Sequence, residues 1–163
     1  MKTTHISVDL GDTLFNRKAP KIQYGLNSVY TLFEYAQGVL RGLHNRGECK
    51  ISIISKIDHG AEARVILNLV HESHSLVPQI ISVDDVHFCY GRSEKGEIAK
   101  SIGSQIHIDD RVEALHSTHE CGVPHNILFI GGHDDRENTD INSKNFLVAH
   151  NWNDVLKLIM NLP

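Results

Sequence analysis

Asp9, Ser55, Lys95 and the pair Asp109-Asp110 are the side chains whose types and placing suit chemistry on an anion. Asp9 closes the stretch His5-Ile6-Ser7-Val8-Asp9 and is followed, after Leu10, by Gly11-Asp12-Thr13; Asp109-Asp110 closes a second apolar stretch in the same way. Carboxylates gathered at one place repel one another and raise a pKa unless a cation neutralises them. Mg²⁺ does this with hard oxygen ligands, keeps several waters, and is held by one or two carboxylates plus a substrate phosphate. Ser55 would then donate to the remaining phosphate oxygens and Lys95 would add a point charge. Lys95 falls in the first turn of an expected helix, where the dipole disfavours a cation, so an anion beside it accounts for its position. Ordinary readings stand next to these: Asp12 or Thr13 as a helix N-cap, Ser55 as a strand-end hydroxyl capping the next helix, Lys56 as a solvated lysine.

Something must carry these residues to one edge. Ile6 and Val8 make a short β-branched run, a buried strand ending at Asp9. Residues 16–25 are polar, with Pro20 and Gly25, and read as a loop over the crevice. Val29, Leu32, Phe33, Ala36, Val39, Leu40 and Leu43 recur at helical spacing, with Gly47 as C-terminal cap and Gly38 a point of bending. Lys50 to Ser55 is a second strand, and Asp58 and Gly60 open a helix with Val65, Ile66, Leu69 and Val70 inside. After Pro78 the third strand is either Ile80–Val83 or Val86–Cys89. Ser93 caps a short helix burying Ile98, Ala99 and Ile102; Gln105 to Asp110 is the fourth strand; Arg111 to Cys121 is a helix ended by Gly122. Ile127–Ile130 is the fifth strand, Gly131 to Ser143 a polar loop, Phe146–Val148 a short edge strand. Trp152, Val155, Leu156, Ile159 and Leu162 form a closing helix capped by Asn151 or Asn153. Strands alternating with helices specify an α/β domain, a three-layer Rossmann-like parallel sheet with right-handed crossovers. Asp9, Ser55, Lys95 and Asp109-Asp110 then share the edge where ligands bind in such sheets.

A chain of 163 residues suits a single domain, 1–163, with no linker or repeat to divide it. A net charge of -4 without a Lys/Arg cluster argues against nucleic acid as partner. Cys49, Cys89 and Cys121 lack disulfide spacing and no signal segment opens the chain, so a reduced, cytoplasmic protein is expected. No apolar run approaches the roughly 20 residues of a membrane span. Twelve histidines include the pairs His71/His74 and His116/His119, which invite a zinc reading but lack a CxxC or HExxH partner pattern.

Asp9-Leu10-Gly11-Asp12-Thr13-Leu14 resembles the opening motif of the haloacid dehalogenase-like (HAD) superfamily, written Asp-x-Asp-Gly-Thr. Ile51 to Ser55 is similar to its second motif, Lys95 to its third and Ile108-Asp109-Asp110-Arg111 to its acidic fourth, a resemblance spanning about residues 5 to 130. The tail, Ile127-Leu128-Phe129 and then Asn151-Trp152-Asn153-Asp154-Val155, is similar to the end of the 5'(3')-deoxyribonucleotidases of that superfamily. The resemblance implies a magnesium-dependent phosphomonoesterase acting on a phosphorylated small molecule or nucleotide. Asp9 would be the nucleophile, forming an aspartyl-phosphate. It implies that Asp9, the backbone carbonyl of Gly11 and Asp110 hold Mg²⁺ with Asp109 beside them, that Ser55 donates to the phosphoryl group, and that Lys95 balances its charge. Only a dozen residues separate Asp9 from the next helix, so the resemblance implies a capless or minimally capped, open site, at which Arg17, Lys18, Lys21 and Arg92 could meet a substrate or remain ordinary solvated charges.

Two departures qualify this. The family's second aspartate, its general acid and base, is Gly11 here, and loss of such a group costs about 10²- to 10⁴-fold. Asp12, one residue on, is the candidate replacement, swung inward by the freedom of Gly11. Lys56 follows Ser55 where the family has a small or amide residue, adding charge near the phosphate. The alternative function is a phosphate- or nucleotide-binding protein that has lost hydrolysis with its acid.

Overall fold

The apolar run at the start of the chain becomes the middle of the sheet. In the computed structural model, which describes residues 3–131 and 145–163, the elements in order are β1 (Thr4–Val8), β2 (Phe15–Asn16), β3 (Ile22–Tyr24), β4 (Asn27–Val29), β5 (Thr31–Leu32), α1 (Ala36–Asn45), β6 (Cys49–Lys56), α2 (Glu62–Val70), β7 (Val86–Cys89), α3 (Lys95–Ser101), β8 (Ile106–Asp109), α4 (Val112–Glu120), β9 (His125–Phe129), β10 (Leu147–Ala149) and α5 (Trp152–Met160). Six strands form one parallel sheet in the order β10-β9-β8-β1-β6-β7. The chain builds outward from β1 through β6 to β7, then crosses back to β8 and continues the other way. The strand order therefore reverses at β1 and β8, where a parallel sheet opens a crevice at its carboxyl end.

Strand residues alternate between two unlike layers. One face presents Ile6, Val8, Ile51, Ile53, Ile106, Ile108, Ile127 and Phe129 to a continuous apolar core shared with α1, α2 and α5. The other carries Ile54 and Leu128 under α3 and α4, but at its centre it is polar: His5, Ser7, Ser52 and His107 are all buried. His5 meets Ser52 Oγ at 2.7 Å through Nε2 and the Ile102 carbonyl at 2.7 Å through Nδ1. These partners satisfy groups whose burial would otherwise cost roughly 1–3 kcal/mol each.

Several boundaries differ from the sequence reading. The helix expected from Val29 begins at Ala36, because Tyr35 takes a left-handed backbone (φ 65) and blocks extension towards the N-terminus. Val29 and Leu32 sit instead in two antiparallel ribbons, β2–β5 and β3–β4, which occupy the expected loop over the crevice. Gly38 lies within an unbroken α1. The third strand is Val86–Cys89 and lies at the sheet's edge; Ile80 and Ile81 are buried in the turn that precedes it. Val70 is exposed; Val65, Ile66 and Leu69 face the core as expected, and Asn68 is buried with them, accepting from Tyr30 N–H at 2.8 Å. Ser93 does not cap α3; it lies in a 3₁₀ turn, Arg92–Glu94, whose entry is held by Glu94 accepting from Tyr90 N–H at 2.9 Å. Asn151 caps α5 as expected, its side chain accepting from Asp154 N–H. Most of the loop read from Gly131 to Ser143 lies outside the described residues.

Candidate active site

Asp9 follows the last residue of β1, and Asp109 ends β8 beside it, so parallel pairing alone delivers two carboxylates to adjacent strand tips. Lys95, the first residue of α3, joins them: its Nζ donates to Asp9 Oδ1 and to Asp109 Oδ2, each at 2.6 Å, with the lysine only 2% exposed. Thr13 Oγ1 lies between Asp9 and Asp110, sharing its one proton between Asp9 Oδ2 at 3.3 Å and Asp110 Oδ1 at 3.4 Å. The turn holding Thr13 is tight, with Leu14 and Phe15 N–H both donating to the Leu10 carbonyl, and it is anchored by Trp152 Nε1–H on the Thr13 carbonyl at 2.9 Å. Asp109 is fully engaged: Oδ1 accepts from Arg111 N–H at 2.9 Å, and Oδ2 also faces His107 Nε2 at 3.2 Å. Behind His107 the bonds continue to Ser7 Oγ (2.8 Å) and from there to Ser104 Oγ (2.7 Å). Ser104 Oγ in turn donates to the Ile106 carbonyl at 2.9 Å. The polar centre of the sheet thus ends on a site carboxylate.

The charges are unevenly compensated. Burial pushes the Asp109 carboxyl up, but Lys95 and then His107 outweigh it and hold it well below the usual carboxylate range. Burial pushes Lys95 down, and Asp109 with Asp9 more than reverses this, so the ammonium is firmly charged. Asp9 is raised by burial, with Lys95 opposing and Asp109 adding to the rise. Asp110 is pushed up to about 8, by burial first and then by the Asp9 and Asp109 charges, despite Arg111 Nε at 3.1 Å from its Oδ2. Among the described residues Asp9, Asp109 and Asp110 are the one group able to share a metal ion, with ligand atoms within 4.8 Å of one another. All are oxygen donors around surplus negative charge, a set that fits a hard divalent cation. Neither His71/His74 nor His116/His119 forms such a group; His74 packs on Phe15 and His116 on Phe146.

A cavity of about 210 Å³ opens over this cluster. Ser55 and Lys56, at the end of β6, line it together with Asp9, Gly11, Lys95, Asp109 and Asp110. Lys56 also reaches Asp58 at 3.3 Å. Asp12, at φ 61, is placed differently: its Oδ2 accepts from Arg17 Nε at 2.8 Å and from Nη2 at 2.5 Å, and its Oδ1 from Arg17 N–H at 3.2 Å. The cavity wall thus gains Arg17, along with Arg64, Arg92 and Arg111. Thr13, His107, Arg64 and Arg111 join the site beyond the residues expected from sequence; the alternation of His107 with Ile106 and Ile108 is the signal for a polar inner face.

No protein-family model matches the chain, and no curated protein matches it either. Solved structures do. A HAD hydrolase, family IA, variant 3, from Entamoeba histolytica superposes with a TM-score of 0.65 at 14% identity, over 99% of this chain and 100% of that one. The 3-deoxy-D-manno-octulosonate 8-phosphate phosphatase of Moraxella catarrhalis, in complex with magnesium, phosphate and KDO, gives 0.56 at 12% identity, over 97% and 86%. The cobalt-bound deoxy-D-mannose-octulosonate 8-phosphate phosphatase of Haemophilus influenzae gives 0.56 at 12%, over 98% and 88%. At such identities the likeness is one of fold: the chain has the three-layer α/β fold of the HAD-like hydrolases, as the Asp9 and Asp109-Asp110 motifs implied.

Proposed function

We propose that this chain is a magnesium-dependent phosphomonoester hydrolase of the HAD type, a single domain working in the cytoplasm on a phosphorylated small molecule, a nucleotide among the candidates. The observation that carries the reading is the buried Lys95 bridging Asp9 and Asp109 at 2.6 Å each, with Asp110 beside them, at the point where the strand order reverses. The shared fold with a HAD hydrolase and with 8-phosphate phosphatases supports it. The tail motif from Asn151 supports the nucleotide reading.

Asp9, the Gly11 carbonyl and Asp110 would hold Mg²⁺ with Asp109 beside them, and the ion when bound supplies charge neutralisation at the transferring phosphoryl group. Asp9 Oδ2 is the nucleophile, since Oδ1 is held by Lys95. Lys95 orients that carboxylate and offsets the charge of the phosphoryl oxygens, and Asp109 fixes Lys95. Ser55, and Lys56 beyond it, take phosphoryl oxygens from the β6 side. Asp12 acts as acid and base only in a state where it has left Arg17. The test is phosphate release over a panel of phosphate monoesters: release that stops with chelator and in Asp9→Asn is expected, and inertness of the magnesium-loaded protein across the panel would refute the reading.

The pairing of Asp12 with Arg17, next to a glycine at the acid position, favours one second reading: a phosphate or nucleotide binder without turnover. Magnesium with phosphate or a nucleotide would then raise the melting temperature by mass action while no phosphate is released.

A further inference from the structure

Gly11 has no side chain, and a cation lies beside it. A Cβ built on Gly11 would touch Arg17 Cζ and Nε at 3.4 Å and Nη1 at 3.7 Å. The guanidinium is fixed there by its two bonds to Asp12, which use Nε and Nη2. Nη1 takes no part in that fork, and Arg17 lines the same cavity as Gly11. Asp12 Oδ1 also accepts from Arg17 N–H at 3.2 Å, which ties the same carboxylate to the Arg17 backbone. Asp12 is nearly buried (side chain 7% exposed) while the arginine is half exposed (50%), the arrangement of an anchored group presented to a ligand. Lys56, Arg64, Arg92 and Arg111 line the same cavity.

A proton donor serves a leaving oxygen that is strongly basic; a fixed cation serves one that departs as a stable anion. We infer that Arg17 holds the leaving group, and that the site selects phosphoryl donors whose leaving oxygen has low proton affinity, namely acyl phosphates, phosphoanhydrides and aryl phosphates, over alkyl phosphates. This deepens the proposed hydrolase reading and rests on it. In the first step Asp9 Oδ2 forms a bond to phosphorus and the bond from phosphorus to the leaving oxygen breaks. The electron pair stays on that oxygen, which leaves unprotonated against the N–H groups of Arg17. In the second step water adds to phosphorus, the Asp9 oxygen leaves as carboxylate, and both water protons end on the dihydrogen phosphate released.

The experiment measures kcat/KM for acetyl phosphate, an alkyl phosphate, and aryl phosphates of graded phenol acidity, on wild type, Arg17→Gln and Arg17→Lys, with thermal unfolding of each. Acetyl and acidic aryl phosphates are expected to exceed the alkyl ester by about 10²- to 10⁴-fold, with a steep dependence on phenol acidity. Arg17→Gln is expected to lower kcat/KM on the favoured substrates by about 10²-fold, the scale of one lost oxyanion donor, and Arg17→Lys by less. A flat dependence on phenol acidity, equal turnover of alkyl and acyl phosphates, or folded Arg17 variants with unchanged rates would overturn the inference while leaving the hydrolase reading intact. No release from any substrate overturns both.

Discussion

Taking a lysine ammonium out of water costs several kcal/mol, so Lys95 stays buried and charged only because Asp9 and Asp109 both meet it. Removing it strands two buried carboxylates. Lys95→Met is therefore expected to cost about 3–5 kcal/mol in urea-unfolding experiments and to abolish phosphate release together. Asp110 bears on pH. Its folded pKa is raised to about 8, so its contribution to the stability of the metal-free protein is whole below the ordinary carboxylate range and is lost as pH rises towards 8. A divalent ion must displace that proton. Calorimetry in buffers of different ionisation enthalpy should show proton release on magnesium binding below about pH 8, vanishing above it and in Asp110→Asn. At this scale Asp9, Ser55, Lys95, Asp109 and Asp110 were legible because each sits at a strand or helix end. Arg17 was legible only as a loop charge that could meet a substrate or stay solvated; its pairing with Asp12, at a left-handed backbone position, was not, because no spacing rule reveals it.

At the scale of elements, the packing of α3 on α4 positions Lys95. Gly96 lets α3 lie directly on α4: a Cβ there would run into the Ser117 carbonyl and hydroxyl and Cys121 Sγ. Ser117 Oγ accepts from Gly96 N–H at 3.0 Å and donates to the Ser93 carbonyl at 2.6 Å, which ties down the turn leading into Lys95. Gly96→Ala is expected to destabilise by about 1–3 kcal/mol and, by shifting α3, to lower turnover more than KM rises; thermal melts and steady-state kinetics check both. The helices and central strands were readable from apolar period, as Ile6 with Val8 and Val155 with Ile159 illustrate. The residues 29–33 were misread because apolar residues three and four apart also fit two short ribbons, and the interruption at Tyr35 lies in its backbone angle rather than its residue type.

At the scale of the whole molecule, chain order makes the site. Strands added first on one side of β1 and then on the other bring residues a hundred positions apart, Asp9 and Asp109-Asp110, to neighbouring tips. The insert between Asp12 and α1 holds two ribbons of two strands each, and its Phe15, Arg17 and Tyr30 form one wall of the cavity. No helix among the described residues is long and apolar enough to cross a membrane, and Cys49, Cys89 and Cys121 are free thiols. The central claim is that Asp9 becomes phosphorylated, and rapid acid quenching of the magnesium-loaded protein mixed with acetyl phosphate, followed by mass analysis of its peptides, tests it most directly. One phosphoryl group on the peptide containing Asp9, removed by hydroxylamine and missing from Asp9→Asn, is the predicted result; turnover without that label, or undiminished turnover in Asp9→Asn, would contradict it.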